Sequence, residues 1–368
     1  MLQKASSRDQ RAAKARGADG DRSVRARAAI GLLAALLAVM AVLSLATGAS
    51  DASVFSVLKA WLAPLVGSEI PLSTRDSIII YDIRFPRMVL GVMIGASLAV
   101  CGAILQGLFR NPLADPGIVG VSAGGALGAV SMIVLGATVL APISALFGIY
   151  ALPLAAFFGS VVTTAVLYRI ATRRGQTSVA TMLLAGIALS ALAAALTGIF
   201  IYMASDQQLR DLTFWGLGSI AGATWTKVAA AAPMIVIALC FSPFLAGGLN
   251  AMTLGEATAR HMGLAVQRFK VTAIVVVAAA TGAAVAVSGG IGFVGIVVPH
   301  LLRLLIGPDH RYLLPASALL GASLLLAADA VARVIVAPAE LPIGIITAVV
   351  GAPFFLWILL NRRNVLDL

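Results

Sequence analysis

Residues 84–128, RFPRMVLGVMIGASLAVCGAILQGLFRNPLADPGIVGVSAGGALG, decide the fold. From Met88 to Phe109 the stretch is apolar, and roughly 20 residues rising about 1.5 Å each cross the hydrocarbon core of a bilayer as a helix. Arg84 and Arg87 precede this run and Arg110 follows it. In Asn111-Pro112-Leu113-Ala114-Asp115-Pro116-Gly117, two prolines and a glycine stand where a helix cannot continue. The chain must turn there and re-enter the apolar phase through the Gly- and Ser-rich Val119 to Gly128. Helix, break and re-entry make the shape of a pore-lining hairpin.

Working outward, the whole chain has the same character. Of 368 residues, 60% are hydrophobic and 11% charged, and the mean hydropathy is +1.02. Such a composition excludes a soluble globule and implies a polytopic membrane protein. Cys101 and Cys240 lie in apolar runs, without metal-ligand or disulfide spacing. A net charge of +11 suggests nucleic acid, but the arginines bracket apolar segments instead of forming a basic face, so they act in membrane orientation.

Ten apolar runs are expected to span, near 28–47, 87–109, 117–138, 148–170, 179–203, 227–246, 270–288, 292–306, 313–332 and 341–360. The eighth is short, and Gly289, Gly290, Gly292 and Gly295 predict a broken entry to it, which is tolerated where protein or a water-filled cavity covers the backbone. Residues 1–27 are polar and basic and read as a disordered cytoplasmic tail, with residues 28–368 a single transmembrane domain. With that tail inside, 19 lysines and arginines fall on the cytoplasmic side against 7 outside, or 11 against 7 without the tail, so both termini are expected in the cytoplasm. Two outer segments exceed simple turns, residues 48–84 and Ser205 to Trp225; the second is expected to begin as a short helix with Trp215 and Trp225 at headgroup level. Gly91 and Gly95 form a small-xxx-small pair expected to pack within the chain.

Four stretches, in order, carry a resemblance: R-x-P-R through NPLADPGIVGVSAGG, LGEATARHMGL (254–264), SGGIGFVGIVVPHLLRLLIGPDHR (288–311) and LLAADAVARVIVAPAELPIGIITAVVGAPFF (325–355). Together they resemble the permease subunits of bacterial ABC importers for iron-siderophores, haem and cobalamin, the FecCD family, over nearly everything after residue 80. The resemblance implies an all-α type II importer permease of about ten transmembrane helices in the bacterial inner membrane. It implies a homodimer, two cytoplasmic ATPase subunits carrying ATP and Mg, and a periplasmic substrate-binding protein. Haem is the expected cargo, with a ferric siderophore or cobalamin as the alternatives, and the chain is expected to hold no cofactor of its own.

The resemblance also assigns roles. Arg84, Arg87 and Arg333 match outward-facing arginines that receive carboxylates from the binding protein; alone, each is equally an interfacial snorkelling side chain, and arginine suits docking because its fork engages a carboxylate bidentately. The segment holding Gly255, Glu256, Ala257, Arg260, His261 and Gly263 matches the coupling helix that docks on the ATPase; read from its residues it is a short helix on the membrane surface, about two turns between glycines. Asn111 and Leu113 match the cytoplasmic gate, with Thr177 and Ser178 as a second layer; a capping motif at a tight turn is the plain alternative for Asn111. The three histidines, His261, His300 and His310, read as structural or coupling residues instead of iron ligands, and Asp309-His310-Arg311 as a second cytoplasmic contact with the ATPase.

Two absences narrow the class. The chain has no G-x-x-x-x-G-K-[ST] phosphate loop, so ATP hydrolysis must belong to another polypeptide and this chain is no enzyme. None of the 15 acidic residues falls at mid-span, Asp329 lying toward an outer end, which disfavours a proton-coupled secondary carrier.

Overall fold

The computed structural model describes residues 22–47, 73–117, 120–173, 176–336 and 339–361. Ten principal helices follow in order: α1 Ser23–Ala46, α2 Phe85–Phe109, α3 Val121–Leu135, α4 Ala151–Ala171, α5 Val179–Met203, α6 Trp225–Thr253, α7 Val266–Ser288, α8 Val294–Ile306, α9 His310–Val334 and α10 Ile343–Asn361. Each corresponds to one expected run. Among the described residues, seven helical stretches are long and apolar enough to cross a membrane, while the apolar stretches of α3, α8 and α10 (Val121–Leu135, Val294–Ile306 and Ile343–Trp357) are shorter.

The middle of the bundle is α2, with 21 of its 25 residues buried. It packs against α6, α7, α8 and α9. Gly95 faces Gly321 of α9, and Gly102 faces Gly295 of α8, so closely that a Cβ at any of these positions would meet the opposing backbone or side chain. Without a hydrophobic force between helices in lipid, this backbone approach is what association can use. Gly91 meets Leu326 and Ile220, so the expected small-residue pair does pack within the chain. By contrast α1 and α5 lie outside, with Leu32, Leu184, Ile187 and Tyr202 exposed.

Two boundaries differ from expectation for local reasons, and two links close in defined turns. Helix α1 begins at Ser23, five residues before the expected start, and Arg25 and Arg27 continue it with little burial; residues 1–21 of the basic tail lie outside the described residues. Helix α6 runs to Thr253 instead of stopping near 246, because Gly248 packs against the Phe269 ring and the true break is Gly255, at φ +102. The hairpin break after α2 is capped by Arg110 in the left-handed region, φ 51. The link between α4 and α5 closes as a two-residue β-hairpin, β1 Thr172–Arg173 with β2 Gln176–Thr177.

The expected outer segment after α5 is a helix, Asp206–Gly216, started by a Ser205/Gln208 capping box. The Trp215 indole N–H of this helix donates to the Ala286 carbonyl at 3.1 Å, two residues before α7 ends, and its half-buried ring packs with Ala129 and Ala156. Trp225 stays 44% exposed, its N–H on the Tyr81 carbonyl at 3.0 Å. The entry to α8 is non-helical over Gly289 to Phe293, as the glycines predict.

Candidate functional site

The candidate residues gather at opposite ends of the bundle. At the end where α1 finishes and α2 starts, Arg84, Arg87 and Arg333 are 4%, 6% and 6% exposed, so they do not stand free in an outer loop. Arg87 forks onto Asp329, Nη2 to Oδ1 at 2.8 Å, and donates Nη1 to Glu340 at 2.8 Å. Asp329, fully buried, also pairs with Arg333 one helical turn on, at 2.9 Å. Arg333 donates onward to the carbonyls of Ser44, 3.0 Å, and Thr47, 2.7 Å, and Arg84 to that of Leu45, 2.7 Å. These oxygens end α1, where unsatisfied carbonyls and the helix dipole favour cations. Three guanidiniums thus share two carboxylates and one helix end. Glu340 is the accessible member, its side chain 39% exposed and lining an outward cavity of about 500 Å³ with Asp211, Lys227 and Ser219.

At the opposite end the break after α2 is a built turn. Asn111 Oδ1 accepts the Leu113 N–H at 2.9 Å, and Asp115 Oδ1 accepts that of Gly117 at 2.8 Å. Both side chains mimic a backbone turn where proline forbids helix. The capping expectation for Asn111 therefore holds, and Leu113 is half-buried beside it. Thr177 ends β2, its hydroxyl 3.1 Å from that of Thr172 across the hairpin, and Ser178 caps α5 by accepting from Thr181. Among the described residues no hydrogen bond joins Asn111 or Leu113 to Thr177 or Ser178.

Between α6 and α7 lies the expected surface helix, Glu256–His261. Gly255 and Gly263, at φ +102 and +89, make the positive-φ turns on either side of it, which a side chain would strain. Ala259 is buried against Ala251, Met252 and Val266, which seats the helix on the bundle. Ala257, Thr258, Arg260 and His261 are exposed, flanked by Leu254 and Met262, 62% and 63% exposed. Close by, Asp309 caps α9 by accepting the Arg311 N–H at 3.0 Å, and Asn250 donates to it at 2.7 Å. The Arg311 side chain holds the Asp309 carboxyl down at about 2. His310 is buried, its ring 2.8 Å from Asn250 Oδ1, as a structural histidine; His261 is on the surface.

The sequence marks the arginines without their pairing to Asp329 and Glu340, and assigns no role to Lys270. Lys270 is buried inside α7, Nζ 2.6 Å from Glu256 and 2.7 Å from Thr177. A lone lysine ahead of the apolar run VTAIVVV was the available signal.

Comparison with known proteins agrees with this architecture. Residues 36–361 match the model of the FecCD transport family. The hemin transport system permease protein HmuU of Yersinia pestis is 45% identical over 79% of this chain and 86% of its own. The cobalamin import system permease protein BtuC of Halobacterium salinarum is 43% identical over 83% and 78%. A solved chain, described as an inward-facing conformation of an ABC transporter assigned to the metal-chelate type, superposes with a TM-score of 0.75 at 31% identity, covering 90% of this chain and 98% of its own. With the family model spanning the bundle from α1 to α10, this chain is a multi-pass membrane protein and a permease of the FecCD transport family.

Proposed function

We propose that this chain is the membrane subunit of a binding-protein-dependent ABC importer which moves haem from the periplasm to the cytoplasm across a bacterial inner membrane. It acts as a homodimer with the pathway along the dimer axis, both termini in the cytoplasm, one binding protein outside and two ATPase subunits inside. ATP and Mg belong to those subunits, and this chain performs no bond chemistry.

The observation that carries the reading is the surface helix Glu256–His261. It presents Ala257, Thr258, Arg260 and His261 outward while Ala259 anchors it between two membrane helices, which is what a lever for an external motor requires. Gating falls to the Asn111–Leu113 turn and the Thr177–Ser178 hairpin end, both at the same end as that lever. At the outer end, a carboxylate of the binding protein would take the place of Glu340 on Arg87, with Arg84 and Arg333 setting the positive field beneath. A metal tetrapyrrole or corrin cargo is supported by the hemin and cobalamin permeases among the relatives, and haem by the higher identity of the former.

The test is reconstitution in vesicles with the ATPase subunit and, in turn, haem-, cobalamin- and siderophore-loaded binding proteins. Haem-loaded protein is expected to stimulate hydrolysis and uptake most. Stimulation by another cargo would reassign the substrate, and uptake without any ATPase would make the chain a secondary carrier.

A further inference from the structure

Lys270 is one of the least exposed charged side chains in the molecule, at 1%, and its ammonium joins three elements. Nζ lies 2.6 Å from Glu256 Oε1, in the first turn of the surface helix, and 2.7 Å from Thr177 Oγ1, at the end of the hairpin that leads into α5. The third direction faces the Tyr168 ring near the end of α4, centroid at 5.8 Å. Tyr168 is in turn tied to α7 by its hydroxyl, 2.7 Å from Gln267 Oε1.

The directions of these bonds are fixed. An ammonium only donates, so Thr177 accepts from Lys270 and its own hydroxyl hydrogen is free to point at Thr172, 3.1 Å across the hairpin. The chain Glu256, Lys270, Thr177, Thr172 therefore runs unbroken from surface helix to hairpin. Both charges of the pair are withdrawn from water, with the Lys270 side chain 1% and that of Glu256 12% exposed, and Glu256 Oε2 is buried without a hydrogen-bond partner among the described residues. Moving the surface helix away from Lys270 would strand a charge in an apolar setting, so the cheaper response is for Lys270 and Thr177 to follow. A surface helix connected only through its flanking loops would lack such a tie.

We propose that Lys270 is a positioning residue which transmits displacement of the surface helix to the Thr172–Thr177 hairpin, and so to the inner gate. This deepens the importer reading and rests on the surface helix being where the ATPase docks.

The test uses the full transporter with its ATPase and loaded binding protein in proteoliposomes, scoring subunit co-purification, ATP hydrolysis and cargo moved per ATP. Lys270→Met and Lys270→Gln are expected to co-purify with the ATPase and hydrolyse ATP, yet move at least about fivefold less cargo per ATP. Thr177→Val is expected to lower the same ratio and Thr177→Ser to retain it. The exchange Lys270→Glu with Glu256→Lys is expected to recover part of the loss. An unchanged ratio in both Lys270 variants overturns the tie. Loss of ATPase assembly in both also overturns it, since the residue would then serve the fold and not transmission. Failure of the underlying reading looks different: Thr258→Trp, on the exposed face of the surface helix, would leave ATPase binding by the otherwise wild-type chain unaltered.

Discussion

The two ends of this bundle bury charge in opposite ways. One end stacks Arg84, Arg87 and Arg333 on Asp329, Glu340 and the last carbonyls of α1, so several bonds share each ion and removal of one leaves others in place. The opposite end has one buried ammonium, Lys270, with one carboxylate and one hydroxyl among the described residues. Redundancy suits an anchor, and a single linear chain suits a transmitter. The difference predicts that substitutions at the arginine end act mainly on stability, and those at the Lys270 end mainly on coupling.

The largest effect is expected where that redundancy ends. Asp329→Ala removes the one carboxylate that Arg87 and Arg333 share, breaking two buried ion pairs at about 3–5 kcal/mol. Thermal unfolding in nanodiscs measures it, and a loss near zero would mean that the cluster is wet. Next comes Glu256→Gln, which keeps shape but weakens a charge-assisted bond, at about 1.5–3 kcal/mol by the same assay. If it destabilises as much as Asp329→Ala, the contrast between anchor and transmitter fails.

Asp309→Ala removes the α9 cap and is expected to cost about 1 kcal/mol. Because the folded carboxyl sits at about 2, below its ordinary 3.8, its stabilisation is present above that ordinary value and fades as pH falls toward 2. A stability-against-pH series on wild type and variant should therefore converge only at the acid end. Smallest in stability is Glu340→Gln, at about 0–1 kcal/mol for a half-exposed pair. Its effect is expected in docking: with Arg87 freed of a competitor, the binding protein should bind more tightly. Weaker binding would assign Glu340 itself to the contact.

Legibility in the sequence followed the range of the interaction. The ten helices come from local apolar length and the Asn111 turn from the prolines beside it, so both were readable. The arginines were readable as charges in unusual places, yet Arg87 meets Asp329 and Glu340 at separations of 242 and 253 residues, which no local pattern encodes. The Trp215 N–H shows the same limit, since it goes to the Ala286 carbonyl, 71 residues away. Lys270 was hidden by its position near a loop, where charge is ordinary. Helix α6 outran its expected end because Gly248 reads as a breaker, whereas packing against Phe269 uses its lack of a side chain.

The central claim is that an external motor meets the bundle at the Gly255 to Gly263 helix. Placing a single reactive thiol there, Thr258→Cys in a Cys240→Ser background, and probing with a membrane-impermeant maleimide tests it. Labelling is expected from the cytoplasmic side only, with strong protection once the ATPase subunit is bound. Labelling from the opposite side, or full reactivity in the assembled complex, would contradict the account.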